Sequence, residues 1–309
     1  MKFAFVFPGQ GSQSVGMMQG FDSLAVVHET FAEASDILKQ DLWQLASTGT
    51  TEELNLTANT QPLMLTAGVA VFRAWNALGG PKPALAAGHS LGEYSALVAA
   101  DALAFADALP LVRFRALAMQ AAVAEGQGGM AAILGLDDDG IRAVCAEAAQ
   151  GEVVEAVNFN SPGQVVIAGD KSAVERCIVL AKAKGAKRAL PLPVSVPSHC
   201  ALMRPAAEKL ADYLQSVTLK TPAVTVLHNA DVKGYSESAA IKDALVRQLY
   251  SPVRWVETVR AIAAQGIGHV VECGPGKVLA GLNKRIDSNL QGWALIDAEA
   301  IATLLKAAL

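Results

Sequence analysis

Charge, aromatic rings and cysteine are all scarce in this chain of 309 residues. Charged residues make up 17% against 52% hydrophobic, aromatics 6%, and there are 4 cysteines. So little charge beside so much apolar content excludes an intrinsically disordered chain, which needs the reverse balance. The 25 Lys and Arg stand against 29 Asp and Glu, a net charge of −4, so the basic surplus typical of nucleic-acid binding is missing. Cys145, Cys177, Cys200 and Cys273 show no C-x-x-C spacing and are too sparse for a disulfide framework, so they read as four reduced thiols. No group of His, Cys, Asp and Glu has metal-ligand spacing, and no metal is expected. Long hydrophobic runs are lacking too. Phe3 to Phe7 is stopped by Pro8-Gly9, too short for the apolar core of a secretory signal. The charge-free stretch 54–72 contains Asn55, Asn59, Gln61 and Pro62 and does not read as a membrane span. The expectation is a cytoplasmic monomer with neither membrane nor nucleic acid as partner.

At roughly 150 residues per domain, the length suggests two domains, or one large domain with an insert. Residues 2–7 read as a buried strand ending in Pro8-Gly9-Gln10-Gly11-Ser12-Gln13, the strand and glycine turn that open an α/β unit. Helical patterns follow at 23–38 and 62–78. A small-residue strand at 84–87 then enters Gly88-His89-Ser90-Leu91-Gly92, followed by helices over 93–100 and 105–123. Strand patterns return at 224–227, 270–273 and 293–296. Strands separated by helices predict a mainly parallel sheet flanked by helices on both faces. The middle differs. After a glycine-rich hinge, Gly126-Gln127-Gly128-Gly129, come a strand at 130–136, a helix at 138–149, strands at 153–159 and 164–168, a helix at 171–184 and a strand at 188–192. That β-α-β-β-α-β order is ferredoxin-like. The expected architecture is α/β, with a large domain at 1–124 and 197–309, an inserted ferredoxin-like α+β subdomain at 125–196, and a cleft between them.

Gly88-His89-Ser90-Leu91-Gly92 is a G-x-S-x-G between a strand and a helix. Such an elbow holds a serine on a sharp turn with its hydroxyl exposed, while the N-terminus of the following helix favours negative charge beside it. A serine nucleophile needs a base. Of the five histidines, His28 reads as a surface residue, His89 as pointing away from Ser90, and His269 as packed. His228 remains possible. His199 is the best candidate, because Val196-Pro197-Ser198 places it in a loop over the cleft. Donors for an oxyanion would be the Leu91 N–H and the loop Gly9-Gln10-Gly11. That loop is no dinucleotide fingerprint, since Ser14 stands where glycine is needed, and Gly274-Pro275-Gly276-Lys277 is no P-loop, since Val278 follows it. Arg113 and Arg115 point in different directions around one helix, so one can face inward, toward an internal carboxylate or a substrate anion. Lys182, Lys184, Lys187 and Arg188 form a basic cluster that reads as a solvated face, with an acidic partner as the other possibility.

Five motifs occur together: Phe7-Pro8-Gly9-Gln10-Gly11-Ser12-Gln13, Gly88-His89-Ser90-Leu91-Gly92-Glu93-Tyr94, Asn158-Phe159-Asn160-Ser161-Pro162-Gly163-Gln164, Val196-Pro197-Ser198-His199 and Glu272-Cys273-Gly274-Pro275-Gly276. With them the chain resembles, over essentially its whole length, the malonyl-CoA:acyl carrier protein transacylases of bacterial type II fatty acid synthesis. The resemblance implies a hydrolase-like core and malonyl transfer from malonyl-CoA to acyl carrier protein through a serine-bound intermediate. No cofactor is implied, since the coenzyme A thioester is a substrate. Ser90 would carry the acyl group and His199 would be the base, oriented by the backbone carbonyl of Gln248. Backbone N–H groups of Gln10 and Leu91 would form the oxyanion hole. Arg115 would pair with the malonyl carboxylate, and Gln61 would lie near that site. One departure is Ala116, where relatives often have glycine. A serine hydrolase or thioesterase and a non-catalytic carrier-docking module stand as alternative functions.

Overall fold

Five apolar residues in succession suit a strand only when both of its faces are covered. Phe3–Phe7 is such a strand, β1, and all five residues are buried. The computed structural model describes residues 1–194 and 196–308. Beyond β1 the strands follow as β2 (Leu85–Gly88), β3 (Gly128–Leu134), β4 (Val154–Ser161), β5 (Gln164–Asp170), β6 (Arg188–Pro191), β7 (Val226–Leu227), β8 (His269–Cys273) and β9 (Gln291–Leu295).

One sheet has the order β7-β2-β1-β8-β9, with every neighbouring pair parallel. Helices α1 (Ala25–Leu38), α2 (Leu42–Thr48), α3 (Thr51–Asn55) and α4 (Thr57–Ala77) lie between β1 and β2 in the chain. α5 (Gly92–Ala99) and α6 (Phe105–Ala122) follow β2. The core is built around β1. Trp75 of α4 packs edge-on against Phe3 and Phe5, with ring centres 5.8 and 5.6 Å apart.

The second sheet has the order β4-β5-β3-β6 and every pair is antiparallel. With α7 (Asp138–Ala149) after β3 and α8 (Lys171–Ala183) after β5, this is the ferredoxin-like arrangement. One face packs on α7 and α8. There Cys145 and Cys177, distant in sequence, bring their sulfurs within 3.8 Å as free thiols. On the other face Val157, Val166 and Ala168 pack against Cys200, the neighbour of His199. Main-chain bonds tie β4 to a loop of the larger unit: Phe159 N–H donates to the Val253 carbonyl at 3.0 Å, and Val253 N–H to the Val157 carbonyl at 2.8 Å.

The remaining helices complete the larger unit: α9 (Arg204–Gln215), α10 (Ser238–Gln248), α11 (Trp255–Ala264), α12 (Val278–Ile286) and α13 (Ala298–Ala308). No helix among the described residues is long and apolar enough to cross a membrane.

Two expectations need correction. The glycine run at 126–129 is not wholly a hinge, because Gly128 and Gly129 pair with Asp170 and Gly169 as the first residues of β3. The helix expected from residue 62 starts at Thr57, as Pro62 lies inside it. The basic cluster is exposed, with Lys184 paired to Glu147 at 3.4 Å. Trp75→Ala would empty the contact that fixes β1 to α4. It should cost about 3–5 kcal/mol in urea unfolding, and a loss near zero would show that this contact does not hold the core.

Candidate active site

Ser90 sits at the tip of β2 with φ of +51°, a left-handed conformation costly for a residue with a side chain. The flanking glycines make the turn possible. A Cβ on Gly88 would lie 1.9 Å from the Gly92 carbonyl carbon, and one on Gly92 would lie 2.0 Å from the Phe7 carbonyl oxygen. The Gly9 loop presses on the same turn: a Cβ there would meet the His89 carbonyl oxygen at 2.4 Å and the Leu91 nitrogen at 3.6 Å. Thus Gln10, an exposed residue, and Leu91 come from adjoining backbone segments beside Ser90. Gly274, after β8, lies against Pro8 of that loop, where a Cβ would come within 2.9 Å of the proline ring. The strained serine backbone is clamped by Asn229, whose Oδ1 accepts from Ser90 N–H at 2.7 Å and whose Nδ2 donates to the Gly88 carbonyl at 2.6 Å.

His199, buried and itself at φ of +68°, brings Nε2 within 2.7 Å of Ser90 Oγ. Its Nδ1 lies 2.8 Å from the backbone carbonyl of Gln248. A carbonyl only accepts, so Nδ1 carries the proton and Nε2 presents a lone pair to the serine hydroxyl. Burial, aided by the positive charge of Arg115, pulls the His199 pKa down to about 3. The ring is therefore neutral at neutral pH and able to take the serine proton. His199 is thus no mere cap for the turn at Ala201.

Arg115 faces inward, 1% exposed, while Arg113 reaches Gln40. The partners of Arg115 are neutral. Nη1 donates to Gln61 Oε1 at 2.8 Å, and Nη2 to Gln248 Oε1 at 2.9 Å and to Ser90 Oγ at 3.2 Å. Its Nε–H has no partner. A buried guanidinium with no carboxylate against it, beside a reactive hydroxyl, suits an anion.

Sequence reasoning therefore named Ser90, His199, Gln248, Gln10, Leu91, Arg115 and Gln61, and the fold brings all of these into one region. It missed Asn229 and the role of Glu93. Glu93 is fully buried, and its oxygens accept from His228 Nδ1 at 2.7 Å, Asn229 N–H at 2.9 Å and Gln248 Nε2 at 2.9 Å. His228 serves this carboxylate, not Ser90. Glu93 stands three residues past the serine in the first turn of α5, and only the fold shows that it is buried. His89 turns away from the hydroxyl to Asn160 of β4, 2.8 Å from its Oδ1.

The acyl transferase domain family matches residues 4–297. This chain belongs to that family. Like other acyl transferases it has relatives of high identity along its whole length. It is 60% identical to the malonyl CoA-acyl carrier protein transacylase of Salmonella typhimurium, over 98% of this chain and 99% of that one. The Escherichia coli K12 protein of the same name is 60% identical over 99% of each chain. Among solved structures, an acyl-carrier-protein S-malonyltransferase from Burkholderia pseudomallei superposes with a TM-score of 0.98 at 63% identity, covering 99% of this chain and 100% of the other. A malonyl-transacylase solved in complex with its type II PKS acyl carrier protein gives 0.98 at 55% identity, with 99% and 100% covered.

The depressed His199 pKa has a sign that kinetics can read. An imidazole that charges only near pH 3 stays a base as pH falls. The kcat/KM for Ser90 acylation should hold from about pH 7.5 to 5, without the acid limb that an ordinary histidine near 6.5 would give. A limb centred near 6.5 would show that His199 is not held neutral by its surroundings.

Proposed function

We propose that this acyl transferase moves a malonyl group from malonyl-CoA to the pantetheine thiol of acyl carrier protein, by ping-pong transfer through Ser90. The observation that carries the reading is Arg115: a buried cation with only neutral partners, whose Nη2 lies 3.2 Å from Ser90 Oγ. A mono-acyl thioester has no use for it, whereas an acyl group ending in a carboxylate completes it. The two 60%-identical relatives named for malonyl transfer, and the related transacylase held with its carrier protein, support the same substrates.

In the first half-reaction, His199 Nε2 takes the Ser90 proton as Oγ attacks the thioester carbonyl carbon. The negative charge on the carbonyl oxygen is met by the N–H groups of Gln10 and Leu91, with the N-terminus of α5 behind them. Collapse breaks the carbon–sulfur bond, and the imidazolium returns its proton to the departing coenzyme A sulfur. Ser90 is left as a malonyl ester. The carrier thiol then gives its proton to His199, its sulfur attacks the ester carbonyl, and Oγ leaves with the proton. The Gln248 carbonyl fixes the imidazole throughout, the part an aspartate plays in other serine enzymes. Gln61 holds Arg115 from the other side. Arg115 gives the malonyl carboxylate charge-assisted hydrogen bonds, each worth about 1.5–3 kcal/mol. An acetyl group leaves the cation unpaired, so selectivity is as much a penalty on the wrong substrate as a gain for the right one.

We further propose a cytoplasmic setting and the unit boundaries 1–124 with 197–309 and 125–196, the latter supported by the strand order of the second sheet.

Intact-mass measurement after mixing with malonyl-CoA tests the nucleophile. The protein should gain one malonyl group, lose it on addition of carrier protein, and gain none as Ser90→Ala. An adduct on that variant, or hydrolysis unaffected by carrier, would defeat the reading. Arg115→Ala should slow malonyl transfer by at least about a hundredfold while slowing acetyl transfer far less. Equal losses would remove the carboxylate assignment.

A further inference from the structure

The side-chain amide of Gln248 has a direction, and Glu93 sets it. Nε2 of Gln248 donates both to Glu93 Oε2 and to the Ser90 carbonyl, each at 2.9 Å, while Oε1 accepts from Arg115 Nη2 at 2.9 Å. Half a turn of the amide would aim its NH2 at the guanidinium and its carbonyl oxygen at a carboxylate and a second carbonyl. All three bonds would be lost and replaced by repulsive contacts. Glu93 is itself fixed, since Asn229 N–H and His228 Nδ1 also donate to it. Gln248 and Asn229 thus link Glu93 to Ser90, His199 and Arg115. The backbone carbonyl of Gln248 holds His199, its amide holds Arg115 and the Ser90 carbonyl, and Asn229 holds the Ser90 N–H.

We propose that Glu93 is a positioning residue for substrate choice: through the Gln248 amide its carboxylate aims Arg115 at the acyl carboxylate, while its negative charge stays one side chain away from the guanidinium. A carboxylate in direct contact would occupy the donors that the substrate needs. A neutral amide between the two orients the cation and leaves its charge without an anion against it. The arrangement offsets part of the cost of a buried cation without cancelling its attraction for an anion. This rests on the reading that Arg115 receives the malonyl carboxylate.

A purely structural acid at the start of α5 would support all acyl groups alike. The full chain carrying Glu93→Leu separates the two cases. Leucine removes the Oε2 that accepts from Gln248 Nε2, whereas Glu93→Gln could keep that bond with its amide oxygen. Rates of Ser90 acylation from malonyl-CoA and acetyl-CoA, read by intact mass, should show the malonyl-to-acetyl ratio falling about tenfold or more. The fall should lie mainly in KM for malonyl-CoA. Combined with Arg115→Ala, Glu93→Leu should lower the ratio no further, because both act on one contact. Equal losses for the two substrates, or independent effects in the double variant, would overturn the proposal. Should Glu93→Leu fail to fold, Gln248→Leu cuts the same relay while keeping the carbonyl to His199. It must lower the ratio similarly, and an unchanged ratio overturns the proposal equally. A wild-type protein with no malonyl preference would instead overturn the Arg115 assignment, and this proposal with it.

Discussion

A guanidinium taken out of water without a carboxylate against it is the constraint on which the site depends. Burial pulls the Arg115 pKa below its ordinary range, with Tyr94 and then Glu93 acting against it. Two glutamine oxygens and one serine hydroxyl are its polar contacts. Such a group tolerates its place only because the amides are held rigidly, and they are held because Glu93 organises Gln248. The same positive charge adds to burial in keeping the His199 imidazole neutral beside the hydroxyl that it deprotonates. Arg115 thus bears on both substrate choice and the state of the base.

The scaffold meets that demand by converging loops. Ser90 follows β2, Gln10 follows β1, and Asn229 follows β7, so three adjacent parallel strands deliver three groups at their C-terminal ends. That is where open parallel sheets place their ligand sites. His199 arrives on the return from the antiparallel sheet and is buttressed through Cys200 by that sheet's inner face.

Much of this was legible in the residues. Gly88 and Gly92 announce the elbow, because no side chain fits between Phe7 and the turn. The strand and helix order of the insert follows from its periodicity. Helical geometry allowed one of Arg113 and Arg115 to face inward without saying which, and sequence spacing is silent about Gln61 and Gln248 across the interior. The Gln248 carbonyl and the carboxylate role of Arg115 came from likeness to a family. Glu93 and Asn229 escaped because buried polar groups carry no local signature: their partners lie 135 to 155 residues away. The facing thiols of Cys145 and Cys177 were hidden for the same reason, as the contact exists only once α7 packs on α8.

The main-chain bonds between β4 and Val253, with His89 bonded to Asn160 at the mouth of the elbow, bear on how the crevice accommodates its guests. Separating the two units at this edge would break two peptide hydrogen bonds and the His89–Asn160 bond, so an acyl chain too bulky for the crevice meets resistance there.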